Sequence, residues 1–100
     1  MAKYYFTKKA IEDLNSIWNY TINVWSEQQA DVYYRMIIEV CNNILINPYK
    51  FSKSYDIVDK DLYGRRAGKH IIFYKSINNS DILIVRILHS SMDLKAQLKN

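Results

Sequence analysis

LYGRRAGKHIIFYKSINNSDILIVRILHSSMD (Leu62–Asp93) is the stretch from which the fold is read. It divides into three apolar runs separated by two turn-forming clusters. Leu62–Arg66 reads as a short strand. Ala67-Gly68-Lys69 reads as a tight turn, with Gly68 free to take positive φ. His70–Lys75 is a second strand, and Ser76–Asp81, rich in Asn and Ser, is the second turn. Ile82–His89 is apolar at every position except Arg86 and its terminal His89, the pattern of a strand covered on both faces and central in its sheet. Strict alternation would place Leu83, Val85, Ile87 and His89 on one face and Ile82, Ile84, Arg86 and Leu88 on the other.

Upstream, the period changes. Lys3–Phe6 is short and aromatic, fit for a first strand. Thr7 stands where an N-cap belongs, and Ile11, Leu14, Trp18, Ile22 and Trp25 then recur at three- and four-residue steps, predicting an amphipathic helix. Glu12 and Asp13 fall in its first turns, where the helix dipole favours acids. Ser26-Glu27-Gln28-Gln29 has the form of a capping box and opens a second helix. Its seam is Ala30, Tyr34, Ile37, Cys41, Ile44 and Leu45, and it ends near Asn47 because Pro48 disfavours helix before it. Two helices joined by one or two residues must form an antiparallel hairpin. Tyr49–Asp61 shows no period and reads as a long surface loop. The order strand, helix, helix, strand, strand, strand predicts one α+β domain over residues 1–100. A helical hairpin packs on one face of a mostly antiparallel sheet, and a flexible tail starts at about residue 94, with a short helix able to begin at Asp93.

Composition narrows the function classes. One hundred residues suffice for one core without staples. The single Cys41 lies on an apolar helix face, which makes it a core residue rather than a nucleophile, and there is no Cys/His cluster with zinc-ligand spacing. No run reaches the length of a membrane span and no leader-type apolar segment opens the chain, so a cytoplasmic location is expected. Nine of the fourteen aromatic residues are Tyr, whose broad ring and polar tip suit a surface that meets a partner as well as half-buried packing. The net charge of +4 is unevenly placed: residues 1–49 carry −1 and residues 50–100 carry +5. The basic field therefore belongs to the C-terminal half and suits nucleic acid or an acidic protein surface.

Phosphate loops, paired catalytic carboxylates and nucleophile elbows are missing from the sequence. The one constellation with chemical potential is basic: Arg65, Arg66, Lys69 and Arg86, with His70, His89 and Tyr74. Metal-free RNA cleavage needs a base, an acid and fixed cations, roles that His89, Tyr74 and Arg86 could fill. The same residues serve equally as a strand-end hydrogen bond, a packed ring and an ion pair. Both readings stand on the residues alone.

FTKKAIEDLNSIWNY, a second helix closing at Asn-Pro, YGRRAGKHIIFYK and VRILHSSMD occur in the order seen in ParE-type toxins of the RelE/ParE superfamily, which the chain resembles over about residues 4–93. The resemblance implies the same α+β fold and the toxin half of a type II toxin–antitoxin pair of the kind that stabilises plasmids. ParE-type toxins inhibit DNA gyrase by binding, whereas RelE-type relatives cut mRNA on the ribosome. The implied partners are a ParD-like antitoxin of the ribbon-helix-helix type, gyrase, and DNA reached indirectly through the antitoxin complex; a hetero-oligomer is expected, and no cofactor. RelE-type nucleases carry an Arg at about the position of Ile71 and an Arg with Tyr or His in the tail, where this chain has SSMDLKAQLKN. That favours the gyrase-directed, non-enzymatic branch, with the mRNA endonuclease as the alternative and a nucleic-acid-binding adaptor as a third reading. The expected target-binding residues are Arg65, Arg66, Lys69, Arg86, His89, Met92 and Asp93, with Arg86 turned to the helix-free face of the sheet. The expected antitoxin-binding residues are Trp18, Trp25, Tyr33 and Tyr34. No catalytic or metal-ligating residue is assigned.

Overall fold

The computed structural model describes residues 2–98. Its elements are β1 (Tyr4–Phe6), α1 (Lys8–Val24), α2 (Glu27–Ile46), β2 (Lys53–Ser54), β3 (Tyr63–Ala67), β4 (His70–Ile77), β5 (Asp81–His89) and α3 (Leu94–Leu98). The strands form one mixed sheet in the order β1-β5-β4-β3-β2, parallel between β1 and β5 and antiparallel elsewhere. The α+β class and the hairpin are as the sequence predicts; β5 lies inside the sheet between β1 and β4, but the middle strand is β4. The two-residue strand β2, inside the stretch expected to be an irregular loop, is an addition.

Both helix starts are built as expected. Thr7 Oγ1 accepts from Ala10 N–H at 3.1 Å and Ser26 Oγ from Gln29 N–H at 3.0 Å, each satisfying a donor that the first turn leaves open. The broad apolar stripe of α1 is divided. Ala10 is buried and Leu14 and Ile17 pack on the core, while Ile11 is half exposed and Trp25, at the hairpin turn, is 71% exposed. On α2, Ala30, Ile37, Cys41 and Ile44 are buried, but Tyr34 faces outward. Burial pushes the Cys41 thiol up to about 12, which keeps it protonated and inert.

The sheet has two covered faces, not one. Ile72, Tyr74, Ile82, Ile84 and Ile87 join the helices in the main core. On the opposite face Leu62, Phe73 and Leu88 form a second cluster, covered by Tyr55 from the β2–β3 segment and by Leu94 and Leu98 of α3. The face expected to be open and basic is thus largely apolar and roofed. Of the tail expected from about residue 94, Leu94–Leu98 forms α3 and the last two residues lie outside the described range.

The expected alternation along β5 is also corrected. Phe73 pairs with Arg86 but Tyr74 pairs with Ile84, so Val85 is an extra residue in a β-bulge. One extra residue reverses the parity beyond it. Ile87 consequently joins Ile82 and Ile84 on the helix side, whereas Leu88 and Val85 go to the second cluster.

Candidate functional site

The site grows out of the short connection between β3 and β4. Gly68 takes φ +62°, the left-handed region that glycine occupies without a steric penalty. A Cβ there would lie 2.8 Å from both Met36 Cε and the Tyr33 hydroxyl, so the turn is pressed directly onto α2. Lys69 N–H donates to the Tyr33 hydroxyl at 3.0 Å, and Ser90 N–H, just past β5, donates to Lys69 O at 2.9 Å. Arg66 Nε donates to Gly68 O at 3.0 Å. The turn is therefore the junction of α2, the β3–β4 hairpin and the end of β5.

Two histidines face each other across this junction. His70 pairs with His89 in the sheet register, and their rings stand 5.1 Å apart, edge to face. Burial first, then the neighbouring His89, push the pKa of His70 down to about 4, against a smaller opposing pull from Asp13. His70 is thus neutral near pH 7. Its Nδ1 lies 2.6 Å from the Tyr33 hydroxyl. That hydroxyl accepts from Lys69 N–H and also donates towards Ala67 O at 3.4 Å. His89 Nδ1 accepts from Ser91 N–H at 3.1 Å and lies 2.7 Å from Ser91 Oγ. His89 Nδ1 is thus an acceptor, and His70 Nδ1 shares a hydrogen bond with the Tyr33 hydroxyl.

Of the residues expected to meet a target, Arg66 and Lys69 are exposed at this turn, half-buried His89 stands beside it, and Met92 follows at 48% exposure. Asp93 caps α3, accepting from Ala96 N–H at 3.2 Å. Arg65 and Arg86 do not join them, and each has a physical reason. Arg65, 9% exposed, turns into the protein; its Nη2 donates to Asn47 O and Lys50 O and its Nε to Ser52 Oγ at 3.0 Å. A cation there satisfies carbonyls left open where α2 ends and complements the helix dipole. Tyr74 anchors the same segment, its hydroxyl bonded to Pro48 O and Ser52 Oγ. Burial raises its pKa, chiefly by desolvation. The candidate acid is thus an interior packing group.

Arg86 leaves the sheet on the helix-free face, opposite Phe73 as expected, but is not free there: its Nη1 donates to Gln97 O of α3 at 3.4 Å and the guanidinium bends round the sheet edge to α1. Its Nε and Nη2 bond Asp13 Oδ2 and Oδ1 at 2.8 and 2.9 Å, with both side chains 15% exposed. Asp13 also accepts from Ile87 N–H at 3.0 Å. The topology explains this. Strand β1 covers β5 only from Ile82 to Ile84, so the edge beyond needs other partners. Thr7 Oγ1 donates to Val85 O at 2.7 Å and Asp13 completes the edge. Asp13 lies past the first turn of α1, and its carboxylate serves this edge rather than the helix dipole.

The expected antitoxin residues occupy two places. Trp18 and Tyr34 pack edge to face at 5.9 Å on the outer side of the hairpin, where they line a groove of about 370 Å³ with Leu14, Asn15 and Asp31. Trp25 lies at the hairpin turn, and Tyr33 is on the inner side of α2 at the junction described above. A second groove of similar size, bordered by exposed Ile46 and Phe51, lies at the end of α2. Nothing in the sequence marked Tyr33 as a turn residue; the only signal is that it follows Ala30 by three on α2, on the helix's inner side.

The family model for the ParE toxin of type II toxin-antitoxin system, parDE, matches residues 4–94. Toxin ParE1 of Mycobacterium tuberculosis is 28% identical over 97 residues, covering 97% of this chain and 98% of that protein. Toxin ParE1 of Caulobacter vibrioides is 30% identical over 99 residues, covering 98% and 99%. Among solved structures, the chromosomal ParDE toxin–antitoxin system from P. aeruginosa superimposes with a TM-score of 0.72 at 17% identity, over 89% of this chain and 95% of that one. The RelBE2 toxin–antitoxin complex from Mycobacterium tuberculosis gives 0.60 at 15%, over 88% and 96%. These last two bear on the fold alone. With its full-length sequence match and the α+β architecture, the chain belongs to the ParE toxin family of type II toxin–antitoxin systems.

Proposed function

We propose that this protein acts as a toxin by binding DNA gyrase, without catalysing a reaction, and that a ParD-like antitoxin neutralises it in the cytoplasm. One observation carries the non-enzymatic reading: the cation and the acid that phosphodiester cleavage would require are committed to the scaffold. Arg86 is bound by Asp13, Arg65 by backbone carbonyls, and Tyr74 is interior. Ile71, at the position where RelE-type nucleases carry an Arg, packs against the apolar second cluster. Held in this way, Arg65 and Arg86 are not available to a phosphate, and the several kcal/mol of transition-state stabilisation that such fixed cations supply is lacking.

What is left at the surface is a basic patch of Arg66 and Lys69 beside His89 and Met92. Its charge steers encounter with an acidic protein surface or with DNA held by the enzyme. The antitoxin's amphipathic helix fits the Trp18–Tyr34 groove on the opposite side of the hairpin. The deciding experiment adds purified protein to a gyrase supercoiling reaction and, separately, to translating ribosomes. Loss of supercoiling with intact mRNA is expected. Rapid mRNA cleavage with normal supercoiling would establish the endonuclease alternative instead.

A further inference from the structure

We propose that the Tyr33 hydroxyl is a positioning group of the toxin site, clamping the β3–β4 turn to α2 so that Arg66 and Lys69 are presented in one fixed arrangement; this rests on the target-binding reading of that patch. Tyr33 then belongs to the target site and not to the antitoxin face, where its sequence neighbour Tyr34 lies.

The argument begins with what a surface turn would do unaided. Gly68 is exposed and conformationally free, and it is flanked by two long cationic side chains that lose rotamer entropy on binding. A floppy turn would lose affinity to ordering at the moment of contact. Here the ordering is done beforehand. Tyr33 meets three successive features of the turn: Ala67 O at 3.4 Å, Lys69 N–H at 3.0 Å and His70 Nδ1 at 2.6 Å. Its ring also packs edge to face on His70 with centroids 5.5 Å apart. Ser90 N–H holds Lys69 from the β5 side, so both backbone polar groups of Lys69 are occupied. Arg66 Nε closes over Gly68 O from its own strand. The phenol stays protonated for this task, because burial raises its pKa against the smaller lowering influences of the Lys69 N–H and the Arg66 charge. His70 Nδ1 is its 2.6 Å partner. The titratable groups near His70 are His89 across the sheet and Asp13 on α1.

Tyr33→Phe tests this because it keeps the ring and removes only the hydroxyl. The full chain is compared with Tyr33→Phe, Gly68→Ala and Arg66→Glu/Lys69→Glu in three measurements. These are the concentration inhibiting supercoiling by half, the exchange rate of the Lys69 amide, and the NMR titration of His70. Tyr33→Phe is expected to raise the inhibitory concentration about tenfold, the order of one lost hydrogen bond. The same variant should speed Lys69 amide exchange and shift the His70 titration, since the ring loses its hydroxyl partner. Gly68→Ala, which drives a methyl into Tyr33 and Met36, should show the same loss of inhibition. If Tyr33→Phe loosens the turn and shifts His70 yet inhibits like the wild type, while the charge reversal does not inhibit, the clamp is overturned and the target patch stands. Should the charge reversal itself inhibit normally, the patch reading fails, and the clamp's role in toxicity with it. Unchanged exchange and titration in Tyr33→Phe would overturn the clamp whatever the inhibition shows.

Discussion

Arg65 and Arg86 show one residue type put to the same structural use at two places in a single small domain. Each guanidinium could have been surface charge, yet both stitch the chain together. Asp13 is the more exposed to test. Replacing it by Ala leaves the Arg86 charge partly buried without its carboxylate and Ile87 N–H without an acceptor. Removing one partner of such a pair is expected to cost about 3 kcal/mol, read as a lower midpoint in urea unfolding. His70 supplies a pH test. Its folded pKa, about 4, lies below the ordinary value of 6.5, so between these values the unfolded chain binds more protons than the folded one. Stability should therefore fall as pH drops from 6.5 towards 4 and level off below. His70→Gln should flatten that part of the curve; an unchanged pH profile in this variant would assign the slope to other groups.

At the scale of elements, the helices were legible from period and caps because those signals are local. Thr7 and Ser26 each reach a backbone N–H three residues on, whatever the rest of the chain does. Thr7 has a second role that no helix rule contains: it donates to Val85 O, beyond the end of β1. Thr7→Val keeps the shape and loses both bonds, and thermal or urea unfolding should register a cost of about 2 kcal/mol, more than a cap alone. The short helix α3 makes the opposite point. It is only five residues long, yet Leu94 and Leu98 close the second cluster over Phe73 and Leu88. Ending the chain at Asp93 should expose that cluster, increase binding of a hydrophobic dye and cost about 2 kcal/mol of stability.

For the molecule as a whole, the charge asymmetry, the outer hairpin groove and the basic turn lie on different parts of the surface, so two partners can be separated experimentally. A ParD-like antitoxin that binds only the folded toxin should raise its stability by about 2.7 kcal/mol at a free concentration of one hundred times Kd. An unchanged melting temperature with saturating antitoxin would remove the hairpin groove from consideration. Reversal of Arg66 and Lys69 should weaken gyrase inhibition, and the wild-type effect should fade with added salt, because exposed charges are screened beyond about 8 Å at physiological ionic strength. The sequence by itself determined the α+β class, the two capped helices and the three C-terminal strands, since periodicity, capping and turn chemistry act between residues a few positions apart. Tertiary structure alone decided which cations remain at the surface. The Asp13–Arg86 pair joins residues 73 positions apart in the chain, the Val85 bulge reverses the faces of β5, and Tyr33 meets the β3–β4 turn only because α2 lies across it. Each of these depends on where unpaired backbone groups and buried charges find partners once the elements have packed, and no local pattern of residues contains that information.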